Sequence, residues 1–300
     1  MKSREFGSLL LLASLWGASF LFIRIASPVL GPFLLIDLRV LIAGAALVIY
    51  AAVTRHRPRL LRKWKEYLLL GALNAAIPFC LIAAAELHVD ASLAAILNST
   101  TPLFTALVAR VWIRDRLTFK KQLGLLFGIV GVVILVGWNP QDMGKGILLP
   151  VSMSLTAALF IAIGGVFSSR AFKDENPLNL AIGQQLAAGV LLLPAAVLFP
   201  PGNAPGGDVI LAVTGLAILS TSLAYLLYFQ LIRSVGPVKT LSVTFLIPAF
   251  GIFWGWLFLK ETISWGTIIG LLIILLSVAF LANFQFNLVK KTDRTNRDML

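Results

Sequence analysis

Thr101-Pro102-Leu103-Phe104, with Arg114-Asp115-Arg116-Leu117-Thr118 after it, returns in altered form as Ile247-Pro248-Ala249-Phe250 and Lys260-Glu261-Thr262-Ile263-Ser264. The two versions are offset by 146 positions. The same offset, without a gap, places Arg24 on Arg170, Arg39 on Gln185 and Gly124 on Gly270. One or two such matches would be unremarkable in a biased composition. A shared offset across so many landmarks indicates an internal duplication, so the fold depends on what each copy contains.

Composition identifies the solvent. The 300 residues are 59% hydrophobic and 13% charged, with a mean hydropathy of +0.92. Soluble chains hold about 45–50% apolar and about 25% charged residues, and a core of this size cannot hide the excess. The surroundings are therefore lipid, which excludes soluble enzymes and secreted disulfide scaffolds. The single cysteine, Cys80, lies in an apolar stretch. It can form no intrachain disulfide, lacks the company of a metal site, and reads as a packing residue. No cofactor is implied.

Roughly 20 apolar residues are needed for a helix to cross the hydrocarbon. Ten runs qualify, at about 7–27, 32–53, 67–86, 91–112, 120–137, 147–168, 177–199, 209–231, 238–258 and 264–284. They are continuous rather than alternating, so they are helices and not barrel strands. The fold class is all-α integral membrane, with ten spans in two five-helix repeats, 7–138 and 147–284. Five is odd, so the second repeat enters the membrane upside down. The basic start at Lys2 and Arg4 leads into a run too long for a signal-peptide core and without a small-residue cleavage site, so span 1 reads as a retained helix. The longest polar pieces are Thr54–Glu66 and the tail after Phe286, which leaves no water-exposed module.

Positive charge sets the orientation. With the N-terminus inside, 21 of the 25 basic residues fall in inner loops and termini. Lys145 and Lys260 fall outside, and Arg24 and Arg39 lie within spans. The net charge of +12 is thus a topology signal with both termini cytoplasmic, not the footprint of a nucleic-acid partner. Trp64, Trp112, Trp138 and Trp265 sit at span ends, and Trp254 and Trp256 in the outer part of span 9, as an interfacial belt requires. Trp16 is the exception, near the middle of span 1.

Inverted repeats are the architecture of alternating-access carriers, with the substrate near the midplane between the halves. Trp16-Gly17-Ala18-Ser19-Phe20, Leu38-Arg39, Thr101-Pro102, and Lys260-Glu261 before a Gly-rich span 10 resemble the drug/metabolite transporter superfamily. The resemblance is to its EamA branch of ten-helix carriers, over about residues 7–284, and within the superfamily to the aromatic amino-acid exporters. It implies a central cavity surrounded by spans 1, 3, 4, 6, 8 and 9. The chain departs from the pattern at Glu86-Leu87-His88-Val89-Asp90, which carries more charge than the outer end of span 3 should.

The polar residues inside the spans are the candidate site. Pro102 and Pro248 stand near the middle of their spans, and each withholds the helical hydrogen bond due to the carbonyl four residues earlier, at Asn98 and Thr244. Asn98, Thr101 and Thr105 share a face within the longest polar run of any span. They form either a cavity wall with a flexing kink or a helix–helix hydrogen-bonding face, worth only about 0.6 kcal/mol in such bundles. Span 3 repeats the design with Asn74 and Pro78. Thr221, Tyr225 and Tyr228 follow one face of span 8, and the repeat offset maps the two tyrosines onto Phe79 and Ile82. Such a wall can stack on a ring and bond a polar group, although a packed core with satisfied hydroxyls would look the same. Trp16, with Ser19 and Phe20, completes the lining, and Pro78, Pro102 and Pro248 are the candidate hinges.

Charges inside a bilayer are costly and usually functional. Arg24 is near enough to the outer end of span 1 to snorkel. Arg39 lies roughly 10 Å inside span 2 at 1.5 Å per residue. Asp37, two positions away, is on another face, so Arg39 should bond carbonyls or another helix, with a substrate carboxylate as the alternative. Every acid in or beside a span (Asp37, Glu86, Asp90, Asp115, Asp174, Glu175, Asp208, Glu261) lies toward an end. The expectation is an inner-membrane exporter of small amphipathic metabolites, foremost neutral or aromatic amino acids, that moves its substrate without obligate proton exchange. A proton-coupled antiporter, or less readily a pore or structural subunit, is the alternative. A membrane-embedded enzyme is disfavoured, because no His-Glu-x-x-His and no nucleophile beside a histidine occurs.

Overall fold

The computed structural model describes residues 3–112, 118–137, 146–202, 204–240 and 242–280. Asp115, Trp138, Lys145 and the basic tail, all used above, lie outside them. The described residues are predominantly helical, with no strand among them. Six helices are long and apolar enough to cross a membrane: Ser3–Val53, Leu61–Ala85, Ala91–Trp112, Leu148–Ala171, Pro177–Leu198 and Gly207–Val235. Three shorter apolar helices, Phe119–Gly137, Val243–Leu259 and Trp265–Phe280, accompany them.

The 51 residues of Ser3–Val53 are two spans and not one. Gly31, with φ 71° and ψ 161°, breaks the helix between Pro28 and Pro32. That backbone region is open essentially only to glycine. Dividing the helix there gives ten apolar helical segments among the described residues, numbered as in the sequence: span 1 up to Gly31, span 2 from Pro32 to Val53, and spans 3–10 in order.

The duplication is visible in which helices touch. Span 2 runs antiparallel to span 7: Phe33 meets Phe199 with ring centres 5.5 Å apart, Gly189 faces Val40 and Leu41, Gly44 faces Gln185 and Leu186, and Leu47 and Ala51 cluster with Ala181 and Ile182. Span 4 meets span 9 where Ala95 faces Gly251 and Ser92 faces Gly255. Span 5 meets span 10 along Leu135–Gly270, Gly131–Ile274 and Gly128–Ser277, and Ser277 Oγ donates to the Gly124 carbonyl at 2.5 Å. Each span in these pairs touches its own repeat equivalent. An inverted duplication produces this, since equivalent helices run in opposite directions and an in-plane pseudo-twofold axis brings them face to face.

The repeats also share a departure from α-geometry. Ala72–Ala76 in span 3 and Gly215–Leu223 in span 8 are π-helical, and the 146-residue offset lays the first inside the second. Pro78, lacking an N–H, follows the first. In the second, Thr221 and Ser222 donate their hydroxyls to the carbonyls five residues back, Leu216 and Ala217, at 2.8 and 2.9 Å. π-Segments of this kind cluster at functional sites.

Outside, Leu69, Ile129, Val133, Val190, Val197 and Leu211 are exposed, which only a lipid surround tolerates on such a scale. Trp64, Trp112, Trp256 and Trp265 are exposed at span ends, as the belt requires, and Trp16 is partly buried.

Replacing Gly31 with Ala meets no neighbouring atom, so its cost is that of the backbone alone. Gly31→Ala should destabilise the purified protein by about 1–3 kcal/mol, read from its thermal unfolding in detergent, with Gly7→Ala as a helical control.

Candidate functional site

Two groups of the residues expected at the site are brought together, and a third stands apart. Trp16 of span 1 meets Tyr228 of span 8 with ring centres 5.4 Å apart, and Tyr228 also meets Phe229 at 5.8 Å. Ser19 is buried beneath, and its hydroxyl turns back to the Trp16 carbonyl at 2.6 Å. The i, i+3 spacing makes that bond available to any helical serine, so it commits Ser19 to its own helix in this conformation.

The second group spans both repeats. Asn74 Nδ2 donates to Gln184 Oε1 at 2.8 Å, and Gln184 Nε2 donates to the Tyr225 hydroxyl at 3.0 Å. The amide of Gln184 thus joins the two π-segment helices through span 7. Beside this chain lies Arg39, whose guanidinium carbon sits 3.7 Å from the centre of the Phe79 ring and whose Nε donates to Thr221 Oγ1 at 3.0 Å. No ion pair links Arg39 to Asp37, whose Oδ1 is buried without a partner. Asn74, Phe79 and Tyr225 therefore converge, with Thr221, at the junction of spans 2, 3, 7 and 8. Gln184 was not expected. The repeat offset pointed at its neighbour, Gln185, as the counterpart of Arg39, and nothing in the sequence says which of two adjacent glutamines faces Asn74.

Asn98 and Thr101 stand apart, with no hydrogen bond to either group. Pro102 was expected near the middle of a helix, but span 4 is two helices, Ala91–Asn98 and Thr101–Trp112, joined by a turn at Ser99–Thr100. Pro102 is the second residue of the latter helix, where a missing N–H costs little. The hydroxyls of Ser99, Thr100 and Thr101 each donate 2.6 Å back to the carbonyls of Ile96, Leu97 and Asn98. The polar run thus serves the broken backbone, and Thr101 meets the carbonyl that Pro102 leaves. Thr105 donates to the Thr101 carbonyl at 2.9 Å, and Asn98 Oδ1 is buried with no partner. Pro248 does lie inside its helix, Val243–Leu259, with Thr244 in the first turn.

The break separates two different surroundings. The first half of span 4 packs on spans 9, 6 and 1, and the second half chiefly on span 6. The first half is also tied down at its start. Lys260, in the left-handed region at φ 56°, ends span 9 and turns the chain. Glu261 then accepts from the N–H groups of Ala91 and Ser92 at 2.8 and 3.0 Å and from the Ser92 hydroxyl. A carboxylate on the first turn of a helix meets otherwise unbonded donors and the positive end of the helix dipole. Nearby, Arg24 donates to the Glu86 carbonyl, and the Glu86 side chain, expected to be peripheral, is 0% exposed with neither carboxylate oxygen bonded.

Such inverted bundles, with broken and π-helical spans at their centre, define a multi-pass membrane transporter. The chain belongs to the EamA-like transporter family, whose model matches residues 6–137 and 148–283, one match in each half. It is 29% identical to the uncharacterized inner membrane transporter YedA of Escherichia coli (strain K12) over 264 residues, covering 86% of this chain and 84% of that protein. Similarity also extends to the uncharacterized transporter YoaV of Bacillus subtilis (strain 168), at 22% identity over 91% of this chain and 94% of YoaV. The WAT1-related chloroplastic protein At3g02690 of Arabidopsis thaliana is 26% identical over 90% of this chain and 67% of its own length. A solved crystal structure shares the fold with a TM-score of 0.66 at 20% identity, covering 94% of this chain and 98% of its own. A small-molecule substrate and a lipid surround follow from the family.

Glu261→Ala should destabilise the protein by about 1–2 kcal/mol, the range for losing a helix cap, while Glu261→Gln keeps one acceptor and loses less. Thermal unfolding of the two variants against the parent checks both.

Proposed function

We propose that this chain is a bacterial-type inner-membrane exporter of small amphipathic metabolites, foremost neutral or aromatic amino acids, working by alternating access. In this reading residues 7–138 and 147–284 are the two moving repeats, both termini are cytoplasmic, and the protein is a carrier and not an enzyme. The observation that carries it is the pairing of aromatic faces with neutral amides between the repeats: Trp16 against Tyr228, and Asn74, Gln184 and Tyr225 in one hydrogen-bonded chain. Rings stack, while amides and a phenol bond a polar head, and that combination suits an amphipathic molecule better than a phosphate or polycation. Asn98, Thr101, Thr244, Ser19 and Phe79 complete the proposed lining.

The divided span 4 supports the alternation. The half that begins at Ala91 is tied through Glu261 to the end of span 9, and the half beyond the turn lacks that tie, so in this reading the second half is the part that swings. Pro78, Pro102 and Pro248 mark where the helices would bend. A carrier of this kind exchanges labelled substrate across a liposome in counterflow and saturates, and a pore does neither. Asn98→Ala and Tyr228→Ala should each lower counterflow of labelled phenylalanine by about tenfold, one hydrogen bond or one buried ring face each, while membrane insertion is retained. Unchanged flux in both would remove these residues from the lining.

The absence of a carboxylate in the middle of any span favours transport down the substrate gradient. One observation favours the coupled alternative: Glu86, fully buried with both oxygens unbonded, is the kind of group that holds a proton, since an isolated carboxylate is too costly to bury charged. Proteoliposomes given an imposed pH gradient should show no uphill accumulation. Uphill movement that Glu86→Gln abolishes would establish proton coupling in its place.

A further inference from the structure

Arg39 is an expensive side chain to leave as it is. It is 4% exposed in the interior of span 2, its Nη1 is buried with no hydrogen-bond partner, and no carboxylate of the described residues forms an ion pair with it. A guanidinium removed from water costs several kcal/mol unless it is paired, and it stays charged where an ammonium would discharge. The two contacts it does make hold it in one orientation without neutralising it. The Phe79 ring lies against the flat face, and Thr221 accepts from Nε. Thr221 is itself held, because its own proton goes to the Leu216 carbonyl inside the π-segment. The guanidinium is therefore clamped on one face and one edge, while a second edge has nothing to bind.

The surroundings make this a site rather than an isolated charge. Phe79 and Tyr225 are repeat equivalents, and Tyr225 bonds Gln184, which bonds Asn74. Gln185, the repeat equivalent of Arg39, is also buried with its Oε1 unbonded. Duplicated positions have thus diverged into a cation in one repeat and a neutral acceptor in the other. Structural symmetry would not require that difference, whereas a ligand with unlike ends would.

We infer that Arg39 is the carboxylate-recognition residue of the carrier, its free Nη edge taking the carboxylate of an amphipathic monocarboxylate beside the Phe79 ring. Phe79 and Thr221 act through Arg39 as positioning residues. This rests on the proposed transport reading for the location of the site and narrows its substrate class to molecules bearing one carboxylate. It also assigns the charge an energetic role: the unliganded state carries an unpaired buried cation, and binding relieves it.

The test uses the full chain in detergent, with three probes that share a phenyl ring: L-phenylalanine, 3-phenylpropionate, which lacks the amine, and 2-phenylethylamine, which lacks the carboxylate. Both carboxylates should raise the unfolding temperature of the parent protein and the amine should not. Arg39→Gln should weaken carboxylate binding about 10- to 100-fold, the factor for a lost charge-assisted hydrogen bond. It should also leave the ligand-free protein as stable or more so, an outcome that a structural role would reverse. Arg39→Lys keeps the charge without the clamped plane and should bind carboxylates with intermediate affinity, which provides the reading should Arg39→Gln fail to fold. Equal shifts from the acid and the amine, no carboxylate shift in the parent, or a carboxylate shift that survives both variants would overturn the inference. Counterflow separates it from the broader reading. Phenylalanine exchange that is indifferent to Arg39 keeps the transporter and removes the carboxylate site, whereas Arg39-dependent binding of 3-phenylpropionate without phenylalanine exchange keeps the site and removes the amino-acid substrate.

Discussion

Hydrocarbon offers no hydrogen bonds, and this constraint governs every other feature of the protein. Backbone groups at membrane depth must be bonded within the chain, so the spans are helical and the departures from α-geometry carry information. Among the described residues they include the break at Gly31, the π-segments in spans 3 and 8, and the turn at Ser99–Thr100 in span 4. In spans 4 and 8 hydroxyls return to the carbonyls that the irregular backbone leaves, over three residues at the turn and over five in the π-segment. Serine and threonine are therefore frequent there for a reason of backbone chemistry, before any question of substrate.

The inverted duplication then decides where irregularity and polarity meet. In three pairs, spans 2 and 7, 4 and 9, and 5 and 10, equivalent helices face each other across the pseudo-twofold axis, so a feature of one repeat meets its counterpart there. The π-segments of spans 3 and 8 are linked through span 7, where Gln184 reaches both their helices through Asn74 and Tyr225. Where the copies have diverged, as at Arg39 and Gln185 or Phe79 and Tyr225, the interface becomes chemically lopsided. Symmetric scaffolding with asymmetric side chains suits the binding of a small molecule with distinguishable ends. The Glu261 contact to the start of span 4 adds a hydrogen-bonded link between the repeats.

Much of this was legible beforehand. The ten spans, their odd number per repeat and the offset of 146 needed only hydropathy and self-comparison, because lipid imposes length and apolarity on each crossing segment. Trp16, Asn74, Tyr225 and Tyr228 were legible as polar or aromatic groups at depth. Reading Pro102 as a mid-helix kink failed because proline reports a missing donor without saying whether the helix bends, stops or restarts there. Glu86 was read as peripheral from its place at the end of span 3, yet it is fully buried, because burial at a helix end depends on what packs over it.

Sequence alone thus determined the solvent, the number of crossings and the inversion, since these depend on composition and on period, which are properties of the chain taken in order. Tertiary structure alone decided the partners: that Gln184 rather than Gln185 joins Asn74 to Tyr225, that Arg39 lies on Phe79 and Thr221, and that Glu261 caps a helix of the other repeat. Those contacts link residues 110, 41, 182 and 169 positions apart, and which side chains meet over such separations is set by helix rotation and packing at the interface between repeats.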